Sequence, residues 1–143
     1  MARNYQSLRA VKSGEETLWL DTSISRNNLK SVIARVTRRR GGTNFQYRVT
    51  GAAWGGPAAI RGVELSVDNG PWRPAIIDRP GNSAAWSLWS FEWKDATPGL
   101  HTLMSRASNA RGEVQPTREE LRAALVSNRE DNAQWPRSVL VQA

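Results

Sequence analysis

The clearest pattern in the chain is an alternation of apolar and polar residues that begins after residue 43. In two segments every second residue is apolar, namely Phe45, Tyr47 and Val49, and then Val63, Leu65 and Val67. A period of two is typical of a β-strand with one buried face. Turn residues separate such segments at intervals of roughly ten residues, which is the spacing of sandwiches and barrels. The sequence therefore predicts an all-β domain.

The same signals place further elements along the chain. The sequence Asp68-Asn69-Gly70 is a strong turn signal between the strand ending at Val67 and a strand over 71–77, and it should fix the register of that hairpin. Further strands are predicted over 86–93, 100–107 and 138–143. Residues 117–126 have helical composition, with Thr117 as N-cap and Glu120 completing a capping box.

The first 43 residues follow a different pattern. They are polar and basic with scattered apolar residues, and a short strand is predicted there at 17–20. Segments of this kind usually need another surface to order them. We therefore expect an extended N-terminal arm over 1–43 and a sandwich domain over 44–143, with the boundary marked by Arg38-Arg39-Arg40 and Gly41-Gly42.

The composition indicates that the chain has both a buried core and a surface for docking to a partner. The chain has 143 residues, of which 39% are hydrophobic, and this is enough for one folded domain. It contains seven tryptophans but two tyrosines and two phenylalanines, and tryptophan is favoured in cores and at interfaces. Trp54, Trp72 and Trp86 fall where predicted strands meet loops, so we expect them to fill the core.

Several classes of chemistry lack the residues that they require. The chain has no cysteine, which excludes disulfides, cysteine-based zinc sites and a thiolate metal ligand. The single histidine, His101, lies in a plain strand pattern and is interpreted as an ordinary strand residue rather than a member of a catalytic triad. The acidic pairs (Glu15-Glu16, Glu119-Glu120 and Glu130-Asp131) are adjacent in sequence and do not face one another across a cleft. The glycine pairs lack the helix and Lys-Ser/Thr of a phosphate loop.

The formal net charge of +7 fits two interpretations, either steering of an anionic partner or ordinary surface charge in an arginine-rich protein. No nucleic-acid motif surrounds Arg38–Arg40, so we expect no nucleic-acid partner. No apolar run approaches the ~18 residues of a membrane span, and the N-terminus lacks the apolar region of a signal peptide. These observations leave the compartment open.

Four spaced segments resemble the C-terminal dimerisation domain of sulfite-oxidase-type molybdenum enzymes. They are GAAW (51–54), VELSVDNGPW (63–72), RASNARGEVQP (106–116) and NAQWPRSV (132–139). The family patterns are G-x-A-W, V-E-x-S-x-D-x-G followed by tryptophan, and R-A-x-D-x-x-G-x-x-Q-P. The matching motif residues are Trp54, Asp68, Gly70, Trp72, Gly112, Gln115 and Trp135. Asn109 stands where the family has aspartate, a change that should leave the turn intact. The resemblance covers roughly 44–143 and implies an immunoglobulin-like (E-set) β-sandwich.

The N-terminal arm is similar to the connector that precedes this domain in the family. RNY (3–5) resembles an R-D-Y sequence whose tyrosine lies beside molybdenum and substrate, so the resemblance implies that Tyr5 is an inherited active-site residue. NLKSVIARVTR (28–38) resembles the run that leads into the sandwich, with Ile33 where proline is common. Arg129 lies close to the position of a family arginine that contacts the substrate anion.

The resemblance implies the dimerisation and structural part of a sulfite-oxidase-like molybdopterin oxidoreductase. The family's cysteine-bearing catalytic domain supplies the molybdenum ligand and nearly the whole pterin pocket, so we expect no cofactor in this chain and no activity from it alone. The expected partners are a second copy and a molybdenum-binding catalytic domain or subunit. Family relatives in bacteria are often periplasmic. The alternative is a free-standing binding module for carbohydrate or protein, which coplanar and exposed Trp86, Trp89 and Trp93 would favour.

Overall fold

Strands dominate the structure, a computed structural model that describes residues 6–24, 27–41, 44–82, 84–124 and 131–142. The elements are β1 (Gln6–Ser13), β2 (Glu16–Ser23), β3 (Lys30–Gly41), β4 (Asn44–Trp54), β5 (Ile60–Val67), β6 (Arg73–Pro74), β7 (Ile76–Arg79), β8 (Ser87–Trp93), β9 (Gly99–Asn109), α1 (Arg118–Ala123) and β10 (Pro136–Val141). Among these residues no helix has the length and apolar character needed to span a membrane.

Two four-stranded antiparallel sheets form the body of the molecule. The first sheet has the order β3-β4-β8-β7 and the second has the order β10-β9-β5-β6. Strands β1 and β2 form a separate two-stranded hairpin. The prediction of an all-β sandwich is confirmed.

The core lies between the two sheets and is built from alternate residues of their central strands. In β8 the odd-numbered residues point inward, and Trp89 and Trp93 are each 1% exposed. They pack in one cluster with Val63 and Leu65 of β5 and Leu103 of β9. Fully burying a large apolar side chain stabilises the fold by about 1.5–3 kcal/mol, so this cluster accounts for much of the cohesion between the sheets.

The prediction that Trp86 fills the core is wrong. Trp86 is 63% exposed, since it immediately precedes β8 and has the parity of that strand's outward-facing residues. It stacks on the half-buried Trp54, with ring centroids 5.5 Å apart. Trp72 is also half-buried rather than fully enclosed. The fully buried tryptophans are those that keep the period of the strand.

A close approach between strands explains one glycine of the first sheet. Gly51 of β4 lies opposite Trp89 of β8 on one side and opposite Ile33 of β3 on the other. A Cβ atom at Gly51 would lie 2.2 Å from the Val32 carbonyl oxygen and 2.3 Å from the Trp89 ring. The indole of Trp89 can therefore pack directly against the backbone of β4, because Gly51 has no side chain to occupy that space.

The first 41 residues contain more strand than the sequence predicts. The predicted strand at 17–20 lies within β2, but β1 and β3 were not predicted. Gly14, at φ +64°, turns the chain between β1 and β2. Strand β3 pairs with β4 from Lys30 to Gly41 and is therefore part of the first sheet. The role of 1–43 as a connector to a catalytic domain stays a prediction.

The remaining predicted elements are present with small changes of boundary. Backbone at Asp68 and Asn69 has positive φ, and the Gly70 amide donates to the Val67 carbonyl at 2.8 Å, which closes the predicted turn. Thr117 caps α1 and forms a capping box with Glu120, as predicted. The predicted last strand appears as β10, beginning two residues earlier than expected.

Side chains join the two sheets where the sandwich closes between β3 and β10. Arg137 of β10 donates from Nη1 to the backbone carbonyls of Ile33 and Ala34, at 2.9 and 3.2 Å. These carbonyls lie at the irregularity where the β3–β4 register shifts between Ile33 and Arg35. The Tyr47 hydroxyl also reaches the carbonyl of Gln142 at 3.5 Å.

Candidate functional site

A cleft of about 420 Å³ opens at the end of the sandwich where the turn after β5 meets the loop between β8 and β9. The wall combines apolar and charged side chains from both sheets. The lining residues are Val67, Asp68, Pro71, Arg73, Trp93, Asp95, Thr97 and His101. Of these, Asp68 belongs to the turn that the sequence singles out, while His101 comes from β9 of the same sheet.

His101 connects three parts of this cleft. Its Nδ1 lies 2.7 Å from the Asp68 carboxylate, and its Nε2 lies 2.7 Å from the backbone carbonyl of Thr97. Its ring meets Trp93 edge to face, with centroids 5.1 Å apart. The side chain is 13% exposed, so the ring is largely enclosed by these contacts. This is more than the ordinary strand histidine that the sequence predicts.

The geometry favours the charged form of the imidazole. A carbonyl oxygen can only accept a hydrogen bond, and so can an ionised carboxylate, so both ring nitrogens must donate to satisfy both contacts. The hydrogen bond to Asp68 raises the pKa of His101 above its usual value, and the bond to the Thr97 carbonyl adds to this effect. Conversely, the backbone amide of Thr102, 2.7 Å from the carboxylate, and then His101 lower the pKa of Asp68.

A second ion pair lies on the wall of the same cleft. Arg73 of β6 donates from Nη1 to both carboxylate oxygens of Asp95, at 3.1 and 3.0 Å, and its guanidinium lies over the ring of Phe91. The Asp95 side chain is well exposed, so this pair adds modestly to stability. Each acid of the cleft is thus matched by one base.

The cleft residues do not form the machinery of an acyl-transfer or hydrolytic site. The Thr97 hydroxyl lies 3.5 Å from His101 Nε2, which is too long for an activated nucleophile, and that nitrogen already contacts the Thr97 carbonyl at 2.7 Å. Within the described ranges no three His, Cys, Asp or Glu side chains are placed to hold a metal ion. The described residues therefore offer no side-chain donor set that fits molybdenum.

The two residues that the resemblance assigns to the active site lie outside the described residues. These are Tyr5, by resemblance the catalytic tyrosine, and Arg129, by resemblance a contact to the substrate anion. Both assignments therefore stay predictions.

The motif residues shared with the family are distributed over the sandwich rather than gathered at one site. Trp72 lies under the guanidinium of Arg106, at 4.2 Å, and Arg106 pairs with Glu64 at 2.8 Å. Trp135 is half exposed beneath the guanidinium of Arg118. Gly112, at φ +80°, turns the chain after β9. These positions support the fold, and Asp68 is the member of the set that also belongs to the cleft.

Gln115 is the most highly connected of the motif residues. It is 1% exposed, and its Oε1 accepts from the amides of Ser31 in β3 and Ala107 in β9, at 2.8 and 3.3 Å. Its Nε2 donates to the carbonyls of Asn132 and Ala133, both at 3.0 Å. One side chain therefore joins the first sheet, the second sheet and the segment that leads into β10.

The departure from the family pattern at Asn109 leaves the turn intact. Its Oδ1 accepts from the amides of Arg111 and Glu113, as a carboxylate would. Its Nδ2 donates to the carbonyl of Gly55 at 3.1 Å and to the carboxylate of Glu113. An aspartate could not make these two donations, so the amide suits the neighbours that this chain has.

The β1–β2 hairpin carries five large apolar side chains that are exposed. Its cross-strand partners place Val11, Leu18 and Leu20 on one face and Leu8 and Trp19 on the other. Each of these side chains is between 43% and 52% exposed. An isolated two-stranded hairpin is marginally stable in water, and this one carries apolar side chains on both faces. It therefore has the composition of a docking element.

Comparison with known proteins agrees with the relationship that the motifs indicate. No family model and no curated protein matches the chain. Among solved structures, the chain is similar to the sulfane dehydrogenase SoxCD from Paracoccus pantotrophus, with a TM-score of 0.73 and 26% sequence identity. The similarity covers 95% of this chain and 34% of that chain, so the protein spans about a third of the SoxCD chain that it matches. This supports a sulfite-oxidase-like relationship.

Proposed function

We propose that this chain is the dimerisation and structural part of a sulfite-oxidase-like molybdopterin oxidoreductase. It would act together with a molybdenum-binding catalytic domain or subunit and with a second copy of itself. The observation that carries the proposal is the similarity to SoxCD over 95% of this chain, together with the four sequence motifs in the same order. A sulfane dehydrogenase, by its name, oxidises reduced sulfur, as sulfite oxidases do.

The match to one third of the SoxCD chain supports a division of labour. Nearly the whole of this chain belongs to the matching part, and the catalytic chemistry would then reside in the part of such an enzyme that lies outside the match. This chain has no cysteine to serve as the thiolate ligand of molybdenum. Under this proposal Tyr5 and Arg129 would complete a site that another domain supplies.

The β1–β2 hairpin is the surface through which this chain would contact the catalytic domain. Apolar residues such as Leu18, Trp19 and Leu20 are costly to leave in water, and exposed apolar patches mark protein interaction sites. The hairpin belongs to the 1–43 segment, which the resemblance assigns as the connector to the catalytic domain. Its two apolar faces would be covered when that domain is present.

The first test is metal and activity analysis of the purified chain. We expect no stoichiometric molybdenum and no sulfite oxidation from the isolated chain, because the thiolate ligand is missing. Addition of a molybdenum-loaded, cysteine-bearing catalytic domain from a sulfite-oxidase-like enzyme should give a complex in size-exclusion chromatography. One molybdenum per chain, or turnover without any companion, would contradict the proposal.

A matched pair of variants separates docking from folding. Trp19→Ser on the hairpin should weaken the complex and leave the unfolding midpoint of the sandwich nearly unchanged. Leu88→Ser on the outer face of β8, which is similarly exposed at 42%, serves as control and should leave the complex intact. Equal loss in both variants would argue against the hairpin as the contact.

The homodimer is tested independently by light scattering. Obligate interfaces usually bury more than about 2,000 Å², so a dimer of this kind should persist at micromolar concentration. A monomeric mass under those conditions would remove dimerisation from the proposal and leave the structural role.

The carbohydrate-binding alternative required three exposed tryptophans in one plane. Trp89 and Trp93 are instead buried between the sheets, and Trp86 stacks on Trp54 at the outer surface. The described structure therefore does not contain the stacking platform that this alternative needs.

A further inference from the structure

The contacts of His101 make the end of the sandwich dependent on one proton. The ring links the carbonyl of Thr97, in the loop between β8 and β9, to the carboxylate of Asp68, in the turn after β5. Both contacts measure 2.7 Å, which is the range of charge-assisted hydrogen bonds. The loop and the turn both line the cleft, and His101 joins them.

We propose that His101 is a protonation-dependent latch that holds the Thr97 loop against the Asp68 turn in the wall of the cleft. The doubly protonated ring donates to both acceptors at once. The neutral ring carries one N–H and one lone pair, so one of the two contacts then sets a lone pair against an oxygen. Loss of the proton therefore releases either the loop or the turn.

The surrounding charges favour the Asp68 contact as the one that survives. The groups facing the ring are Asp68 from the turn after β5, Arg73 from β6 and Asp95 from the loop after β8. Arg73 and Asp95 are paired with each other, which leaves Asp68 as the acid that contacts the ring. The cross-strand neighbour from β10, Val139, is apolar. The neutral ring keeps its proton toward Asp68, so the Thr97 loop is the part that opens.

The direction of the pH dependence follows from the two pKa shifts. His101 has a raised pKa in the folded state, so its contribution is complete below the unfolded value of about 6.5 and is lost as pH rises through the folded pKa. Asp68 has a lowered pKa, so its contribution is complete above its unfolded value and is lost as pH falls through the folded pKa. The latch is closed between these limits and opens at the alkaline side first.

The test uses the fact that the protein contains a single histidine, so its ring signals need no assignment. A two-dimensional ¹H–¹⁵N spectrum of the ring nitrogens across pH gives the titration midpoint. We expect a midpoint above that of a histidine in an unstructured peptide, because both ring nitrogens donate hydrogen bonds in the folded state. The amide of Thr102 donates to the Asp68 carboxylate, and the amide of Asp68 donates to the Thr102 carbonyl. In the same pH series, both amides should stay protected from hydrogen exchange through the transition. Nuclear Overhauser contacts from the ring to Thr97 should disappear above the midpoint.

Asp68→Asn is the informative variant, because asparagine also tolerates the positive φ of that turn. It should lower the midpoint, because the bond to the Asp68 carboxylate is the main cause of the raised pKa of His101, and it should weaken the ring contact to Thr97 at neutral pH. Glu119→Gln on α1 removes one carboxylate elsewhere and should leave the midpoint unchanged. A wild-type midpoint at or below that of a histidine in an unstructured peptide, or ring contacts to Thr97 that persist after deprotonation, would overturn the proposal.

Discussion

Replacing Gln115 with methionine should reveal how strongly one buried amide ties the sandwich together. Methionine keeps the length of the side chain and removes its donors and acceptor. Three of its four backbone partners, the amide of Ser31 and the carbonyls of Asn132 and Ala133, would lose bonds of 2.8–3.0 Å, and the fourth, the amide of Ala107, would lose a longer bond of 3.3 Å. A buried polar group without a partner costs about 1–3 kcal/mol. Counting three groups at the lower limit, we expect a loss of about 3 kcal/mol in the free energy of unfolding.

The assay is urea unfolding of wild type and variant, followed by tryptophan fluorescence. A loss of about 3 kcal/mol is a large fraction of the 5–15 kcal/mol typical of a domain, so the midpoint should fall markedly. Gln46→Met is the matched control, since Gln46 is exposed on β4, and it should change stability by less than about 0.5 kcal/mol. The amide of Ser31 should also exchange faster in the Gln115 variant.

Gln115→Glu sharpens the interpretation. The glutamate retains one oxygen that accepts from the amide of Ser31. Its second oxygen would face the carbonyls of Asn132 and Ala133, so the ionised form is destabilised. Its deficit should grow as pH rises above the unfolded glutamate value of about 4.3, because folding then requires a buried, unmatched charge. A loss below about 1 kcal/mol in the methionine variant, or a deficit in the glutamate variant that is constant from pH 4 to 8, would refute the reasoning.

Three further predictions test other contacts. Gly51→Ala should destabilise the sandwich by at least about 2 kcal/mol in urea unfolding, because a Cβ would overlap the Val32 carbonyl and the Trp89 ring. Gly62→Ala is the control and should cost far less, because the nearest atom to its Cβ would be 3.5 Å away. Asn109→Asp should cost about 2–3 kcal/mol at pH 7 and less near pH 4, because the ionised carboxylate would face the Gly55 carbonyl and the Glu113 carboxylate. Thr117→Ala removes the cap of α1 and should cost about 1 kcal/mol, seen as faster amide exchange at Glu120, and an unchanged rate would argue against the cap.

The period-two signal predicted the strands of the core correctly, and its failures have local causes. Strand β3 was missed because the run from Ile33 to Arg40 has little alternation. Its register shifts between Ile33 and Arg35, and from there the outer face carries arginine and threonine. Trp86 is predicted in the core because it falls where a strand meets a loop, although an odd separation from Trp89 and Trp93 puts it on the opposite face of the strand, and it is exposed. In this chain parity within the strand was the better guide.

The cleft could not be predicted from local sequence. Asp68 and His101 are 33 residues apart and meet because β5 pairs with β9, a long-range pairing that no short motif specifies. The turn signal identified Asp68 as a conformational residue, and its carboxylate also accepts from the amide of Thr102. One signal could have indicated the contact. His101 lies near the start of β9, and Asp68 directly follows β5, the strand that pairs with β9.

The guanidinium of Arg137 also protects this protein against unwanted association. Strand β3 forms one edge of its sheet, and an open edge presents unpaired carbonyls that another chain could use as a template. Because Arg137 occupies the carbonyls of Ile33 and Ala34, an incoming strand would first have to displace a charged group. Two identical chains that met through this edge would also bring two Arg137 charges together. Self-association through the β3 edge therefore carries an electrostatic penalty.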